Sequence, residues 1–167
     1  QRQEAERKHF ESEERFRATF EQAAVGIAHV APDGRWLRVN QGLCDILGFT
    51  REELLEKYFQ EITFAEDLDA DLDIVWQMLT SKQSFRSAEK RYVHKNGHII
   101  WTQLTVSLVR SEDGTAQYFI VIIEDISDRK QAEAAITELN ENLEARVIER
   151  TTELNRIKTR IESILNS

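Results

Sequence analysis

An α+β fold is predicted by three features of this 167-residue chain. The turn dipeptides Asp33-Gly34, Asn96-Gly97 and Asp113-Gly114 each lie between apolar or alternating runs, the strongest local signal for a β-hairpin. Helix-start and helix-stop residues crowd the interval between the first of these turns and the second. Charged stretches free of Gly and Pro, with apolar residues at helical spacing, stand at either end. The order is therefore helix, two strands, several helices, three strands and a last helix. It predicts a five-stranded antiparallel sheet with the inserted helices on one face, plus long N- and C-terminal helices.

In chain order, residues 1–22 carry Phe10, Phe16 and Phe20 near helical spacing and predict an amphipathic helix. The hairpins predict strands over 25–30 and 35–39, then over 85–95, 98–110 and 116–125. Asn40 is placed to cap a helix over 41–47, with Gly48 as its left-handed stop. Thr50-Arg51-Glu52-Glu53 predicts a capping box, in which the hydroxyl and the carboxylate satisfy each other's free backbone N–H groups. Leu68, Leu72, Val75 and Leu79 predict a longer helix at about 67–80. The domain limits follow: helix 1–22, domain 23–126, helix 127–167.

Alternation puts Thr102, Leu104, Val106 and Leu108 on one face of the fourth strand, assigned inward, and Trp101, Gln103, Thr105 and Ser107 on the other. That outer face also carries Val25, Ile27 and His29 and is too apolar to stay wet. The N-terminal helix or a second subunit is expected to cover it.

Composition excludes several function classes. A net charge of −8 argues against a phosphate-binding surface and hence against nucleic acid. The single cysteine, Cys44, rules out an internal disulfide and any multi-cysteine metal site, and suits a reducing, cytoplasmic setting. No apolar run reaches membrane-spanning length. The chain opens without Met, and a piece of a longer protein is expected.

The C-terminal stretch reads as a coiled coil. With Asn140, Val147, Leu154 and Ile161 at a and Ile136, Leu143, Arg150, Ile157 and Ile164 at d, the heptad seam is interrupted only by Asn140 and Arg150. An isolated helix has nowhere to bury such a stripe, so a partner is expected. Asn at an a position fixes register and points to a parallel homodimer; the competing reading is a helix folded back on its own domain.

The segments ERFRATFEQAAVGIAHVAPDGRWLRVNQGLCDILGFTREEL and EKRYVHKNGHIIWTQLTVSLVRSEDGTAQYFIVIIEDISDRKQAE resemble a PAS domain with its C-terminal PAC motif, over roughly residues 13–133. VN…LGFT, the K-N-G hairpin followed by Ile-Trp, the D-G hairpin followed by Tyr-Phe, and the closing D-I-S-D-R-K all stand in the family's order. The resemblance implies a sensor or dimerisation module of bacterial signalling proteins, usually histidine kinases or cyclic-di-GMP enzymes. RVIERTTEL resembles a linker of such proteins, and IESILNS the start of another PAS domain. The resemblance also puts Asp125, Ile126 and Ser127 where the last strand hands over to an output helix, making them the expected signal relay.

Members of this family also bind cofactors through residues whose counterparts can be read in this sequence. Flavin-binding photoreceptors carry Asn-Cys-Arg-Phe-Leu-Gln where this chain has Tyr58-Phe59-Gln60-Glu61-Ile62-Thr63, and their flavin-contacting Asn and Gln correspond to Thr102 and Ile123. Haem-binding relatives use a His on the long helix, and residues 67–80 contain none. Neither cofactor is expected.

For an unidentified small ligand, the candidate pocket lining is Val30, Phe59, Met78, Tyr92, Thr102, Leu104, Phe119, Val121 and Ile123. His9, His29, His94 and His98 show no metal-ligand spacing, and the acids at 67, 69, 71 and 73 lack the Gly and late Glu of a calcium loop, so no metal is expected. Cys44 reads as a buried inert thiol. No catalytic constellation is present, so any enzymatic output is expected to lie in a neighbouring domain.

Overall fold

Each hairpin turn joins strands that pair, and the remaining pairing closes the sheet. The computed structural model describes residues 1–167. In order it has α1 (Arg2–Gln22), β1 (Gly26–Val30), β2 (Trp36–Val39), α2 (Gln41–Leu47), α3 (Arg51–Leu55), α4 (Phe59–Ile62), α5 (Ala65–Thr80), β3 (Phe85–Val93), β4 (Ile99–Arg110), β5 (Ala116–Asp125) and α6 (Ser127–Leu165). The strands form one five-stranded antiparallel sheet in the order β2-β1-β5-β4-β3. The first hairpin therefore sits beside the last strand of the second pair, which puts the chain's earliest and latest strands at the centre.

The inner face follows the alternation. Ala28 and Val30 of β1, Leu104, Val106 and Leu108 of β4, and Phe119, Val121 and Ile123 of β5 are all buried in one core with Leu43, Leu47, Leu54 and Met78 of the inserted helices. Chain contacts divide the molecule into Gln1–Ser127 and Asp128–Ser167.

Helix capping works as the residue types require at α2. Asn40 Oδ1 accepts from Leu43 N–H at 3.0 Å, and Gly48 ends the helix at φ 78°. Gly48 must be glycine for a second reason: a Cβ there would lie 2.2 Å from His94 Cε1, because the β3–β4 hairpin packs on this turn. The expected capping box of α3 is half formed. Thr50 Oγ1 accepts from Glu53 N–H at 3.2 Å, but the Glu53 carboxylate turns away to accept from Lys95 Nζ at 2.7 Å.

Other expectations need correction. β3 ends at Val93 instead of residue 95, because Lys95 N–H donates to Leu47 O and leaves the sheet. α5 starts at Ala65, two residues before the expected 67, and a separate short helix, α4, precedes it. Leu72 is 37% exposed, and the buried positions of α5 are Asp71 and Met78. A buried lysine on the sheet, described below, draws Asp71 inward in its place.

The outer face is covered in part by α1. Phe20 is buried and lies 6.2 Å from the His29 ring, which in turn lies 4.8 Å from Tyr118. The Arg38 guanidinium sits 4.9 Å from both the Phe16 and the Phe20 rings. Leu37 and Ile122 on the same face stay 43% and 40% exposed, so the helix does not finish the task.

Candidate functional site

The helical layer and the inner sheet face do not quite meet. Between them is a cavity of about 30 Å³ lined by Val30, Trp36, Phe59, Asp71, Val75, Lys90, Tyr92, Leu104, Val106, Phe119 and Val121. Of the residues expected to line a pocket, Val30, Phe59, Tyr92, Leu104, Phe119 and Val121 are there. Met78, Thr102 and Ile123 are not: each is fully buried, packed into the surrounding core and not against the space. Sequence reasoning missed Trp36, Asp71, Val75, Lys90 and Val106.

Lys90 is the unusual member. It faces inward from β3 opposite Thr102, is 4% exposed, and donates its Nζ–H to Asp71 Oδ2 from α5. Its ammonium also lies 4.6 Å from the Phe59 ring centre and 4.4 Å from that of Tyr92, within cation–π range. Burial pulls the Lys90 ammonium below the ordinary lysine value, and the Asp71 carboxylate opposes that pull. Burial pushes the Tyr92 phenol well up, with the Asp71 charge adding to it. An ion pair so placed tethers α5 to the sheet across the cavity, since removing either partner strands a charge in an apolar interior.

Two features of the sequence could have located this pair. The Asn96-Gly97 turn fixes the β3–β4 register, so an inward Thr102 requires an inward Lys90. A lysine in a core requires a carboxylate, and Asp71 stands between Leu68 and Val75 on the inward side of α5. No comparable signal points to Trp36, which ends up inside because β2 is an edge strand pressed under the segment around Lys57.

The residues expected to relay a signal lie at the far end of β5. Asp125 pairs with Thr102 across the sheet, and Thr102 Oγ1–H donates to Lys90 O at 2.8 Å. Ile126 is buried, and its N–H donates to Trp101 O at 2.9 Å. Asp125 Oδ1 accepts from Ser127 N–H at 2.9 Å, satisfying one of the free donors at the start of α6. Lys90, Thr102, Asp125 and Ser127 thus make a continuous set of contacts from the cavity to the first residue of the helix.

In α6 every residue from Gln131 onward is exposed, including Ile136, Asn140, Leu143, Val147, Leu154, Ile157, Ile161 and Ile164. The carboxylates of the acidic run have other uses. Asp67 holds Arg91 through both oxygens at 2.9 and 2.6 Å, and Asp71 holds Lys90. Cys44 is buried, and burial raises its thiol above the ordinary value, which suppresses thiolate chemistry. No helix is long and apolar enough to cross a membrane.

Residues 23–128 match the family described as PAS domain. The chain belongs to the PAS domain family. The probable diguanylate cyclase DgcE of Escherichia coli is 45% identical over 140 residues, covering 83% of this chain and 13% of that protein. The sensor histidine kinase TmoS of Ectopseudomonas mendocina is 30% identical over 132 residues, covering 79% of this chain and 14% of that protein. This PAS chain therefore spans a small part of the curated relatives it matches. Among solved structures, the PAS domain of an HTR-like protein from Haloarcula marismortui superimposes with a TM-score of 0.60 at 26% identity, covering 74% of this chain and 99% of that one. The PAS domain of a Colwellia psychrerythraea protein does so with a TM-score of 0.64 at 19% identity, covering 69% and 97%.

Proposed function

We propose that this PAS domain is a sensory and dimerisation module of a cytoplasmic signalling protein, relaying a change at its interior cavity through α6 to an output domain of the same chain. The output is a histidine kinase or a cyclic-di-GMP enzyme, the activities named for the two relatives above. Catalysis belongs to that domain, and the relay belongs to this one.

The observation that carries the reading is the contact route from Lys90 through Thr102 and Asp125 to Ser127. A shift of β3 at the cavity changes how Thr102 sits against the end of β5, and with it the hydrogen bond that starts α6. Such a device need only bias two packings of a coiled coil by about 1–3 kcal/mol to be useful.

The stripe on α6 supports a homodimer through the helical flanks. Its apolar residues repeat at heptad spacing and are exposed, and Asn140 at an a position favours a parallel pair in one register. Flavin and haem fit poorly: the cavity of about 30 Å³ holds a few water-sized spheres, and α5 offers no histidine.

The test is Asp125→Ala in the full-length protein that carries this domain. The expected result is altered output activity with the domain still folded by circular dichroism. Unchanged output in a folded variant overturns the relay.

A further inference from the structure

We infer that the solvent face of α5 docks a partner protein through an arginine-bearing segment, whose guanidinium groups stack on the exposed Trp76 ring and pair with Asp69 and Asp73. This surface lies outside the relay and does not depend on it.

The fold makes little use of Trp76. Trp36 is buried and Trp101 lies beneath the Arg91 guanidinium, whereas Trp76 is 67% exposed on α5, one turn after the exposed Leu72. At about 3.6 residues per turn, Asp69, Asp73, Trp76 and Thr80 share the side of the helix opposite the buried Asp71 and Met78. A large aromatic held out on a rigid helix adds almost nothing to the core. It is the kind of side chain that anchors protein interfaces.

The charges around it state what the partner must carry. α5 has five carboxylates and no cation. Asp67 and Asp71 are taken by Arg91 and Lys90, and Glu66 lies 3.5 Å from Arg91. Asp69 and Asp73 are exposed and make no hydrogen bond or ion pair within the chain, and no cation of the chain lies over the Trp76 ring. Arg86, which reaches the adjoining row of the helix, is held by Gln77 Oε1 at 2.9 Å. A face of this sign repels nucleic acid and anionic lipid and attracts a basic protein segment.

The choice of arginine follows from a second place in the chain where the same parts are assembled with the cation present. Arg91 lies 5.0 Å from the Trp101 ring centre and 4.3 Å from that of Phe64, while Asp67 accepts from its guanidinium at 2.9 and 2.6 Å. A planar guanidinium stacks on a ring and forks to a carboxylate at once, which an ammonium cannot do. The open face of α5 offers the ring and the carboxylates without the guanidinium.

The test is a titration of the 1–167 chain with a blocked, alanine-rich helical peptide carrying two arginines four residues apart, the spacing of Asp69 and Asp73. NMR follows the Trp76 indole and the α5 backbone amides. The arginine peptide is expected to give saturable shifts confined to Trp76 and residues 69–80, and to bind at least about threefold more tightly than the same peptide with lysines. The version with glutamates should not bind. Trp76→Ala and the double variant Asp69→Asn/Asp73→Asn should each weaken binding at least about tenfold. Glu138→Gln/Glu141→Gln, which removes the same charge from outer positions of α6, should leave it within about twofold.

Four results overturn the inference: binding indifferent to Trp76→Ala, lysine and arginine peptides of equal affinity, shifts spread over the acidic surface as a whole, or no binding at about 1 mM peptide. A Trp76 resonance that moves with protein concentration in the absence of peptide overturns it too, by assigning the face to a second copy. The altered side chains are exposed, and the Asp69 and Asp73 variant decides on its own should Trp76→Ala not fold.

Discussion

Asn40 has no exposed surface and uses its whole side chain. Its Oδ1 accepts from Ile27 N–H at 2.8 Å and Leu43 N–H at 3.0 Å, while its Nδ2 donates to Phe20 O at 2.8 Å and Val25 O at 3.1 Å. One amide therefore joins the end of α1, the start of β1 and the cap of α2. Asn40→Ala is expected to cost about 2–4 kcal/mol in chemical denaturation, since it strands several buried backbone groups at once. Asn40→Asp should be comparably damaging, because its carboxylate keeps the acceptors but faces two carbonyl oxygens. A loss confined to the ordinary cap value of about 1 kcal/mol would show that the other bonds contribute little. The cap was legible in the sequence from Asn40 and Gly48; the bonds back to Phe20 and Val25 were not, because they join segments that only the tertiary fold brings together.

The same distinction applies to Lys90. Lys90→Met and Asp71→Leu singly should each destabilise by about 3–5 kcal/mol, and the double variant should recover most of that loss. Independent, additive losses would mean that the two groups are not a buried pair.

Among the elements, the attachment of α1 to the sheet is expected to depend on pH. His29 is packed between Phe20 and Tyr118, and burial, aided by the Arg38 charge, holds its pKa below the ordinary 6.5. A depressed histidine pKa means that the released state takes up the proton first. The docked helix therefore keeps its full stability above pH 6.5 and loses it progressively as pH falls below that value. Protection factors of the last turns of α1, corrected for the intrinsic exchange rate at each pH, should fall as pH drops below 6.5, and His29→Phe should remove the dependence. An unaltered slope in that variant would assign the effect to another group.

α5 shows what periodicity can and cannot say. Leucine spacing located the helix, but its rotation was set by Asp71, whose burial makes sense only once Lys90 is known to face inward. The C-terminus of α5 depends on a residue far along the chain. Arg110 Nη2 donates to Met78 O at 2.8 Å and to Ser81 O at 3.2 Å, satisfying carbonyls that no glycine cap serves. Arg110→Ala should lower stability by about 1–3 kcal/mol and fray residues 78–81 in exchange measurements, whereas Arg110→Lys should restore only part, lacking the fork.

For the whole molecule, the sheet and its order of elements were legible because turn dipeptides and caps are local signals, and the PAS family was legible from the resemblance of its motifs. The hydrogen bond between Asp125 and Ser127 at the start of α6 joins neighbours in sequence, whereas a relay role for them is implied by the resemblance. The cavity was legible only in its apolar wall. Its polar members, Trp36, Asp71 and Lys90, come from three separate elements, and their meeting follows from register and packing together.

We propose that α6 pairs with its counterpart in a second copy so that events at the sheet can be passed along it. Sedimentation velocity of the 1–167 chain, beside Ile157→Asp, tests this most directly. A dimer is expected at about 10 μM for the unaltered chain, and a monomer at the same concentration for the variant, since a charge in the seam costs several times the roughly 1.4 kcal/mol that corresponds to tenfold in affinity. A monomer for the unaltered chain at hundreds of micromolar, or a dimer indifferent to the substitution, would contradict it.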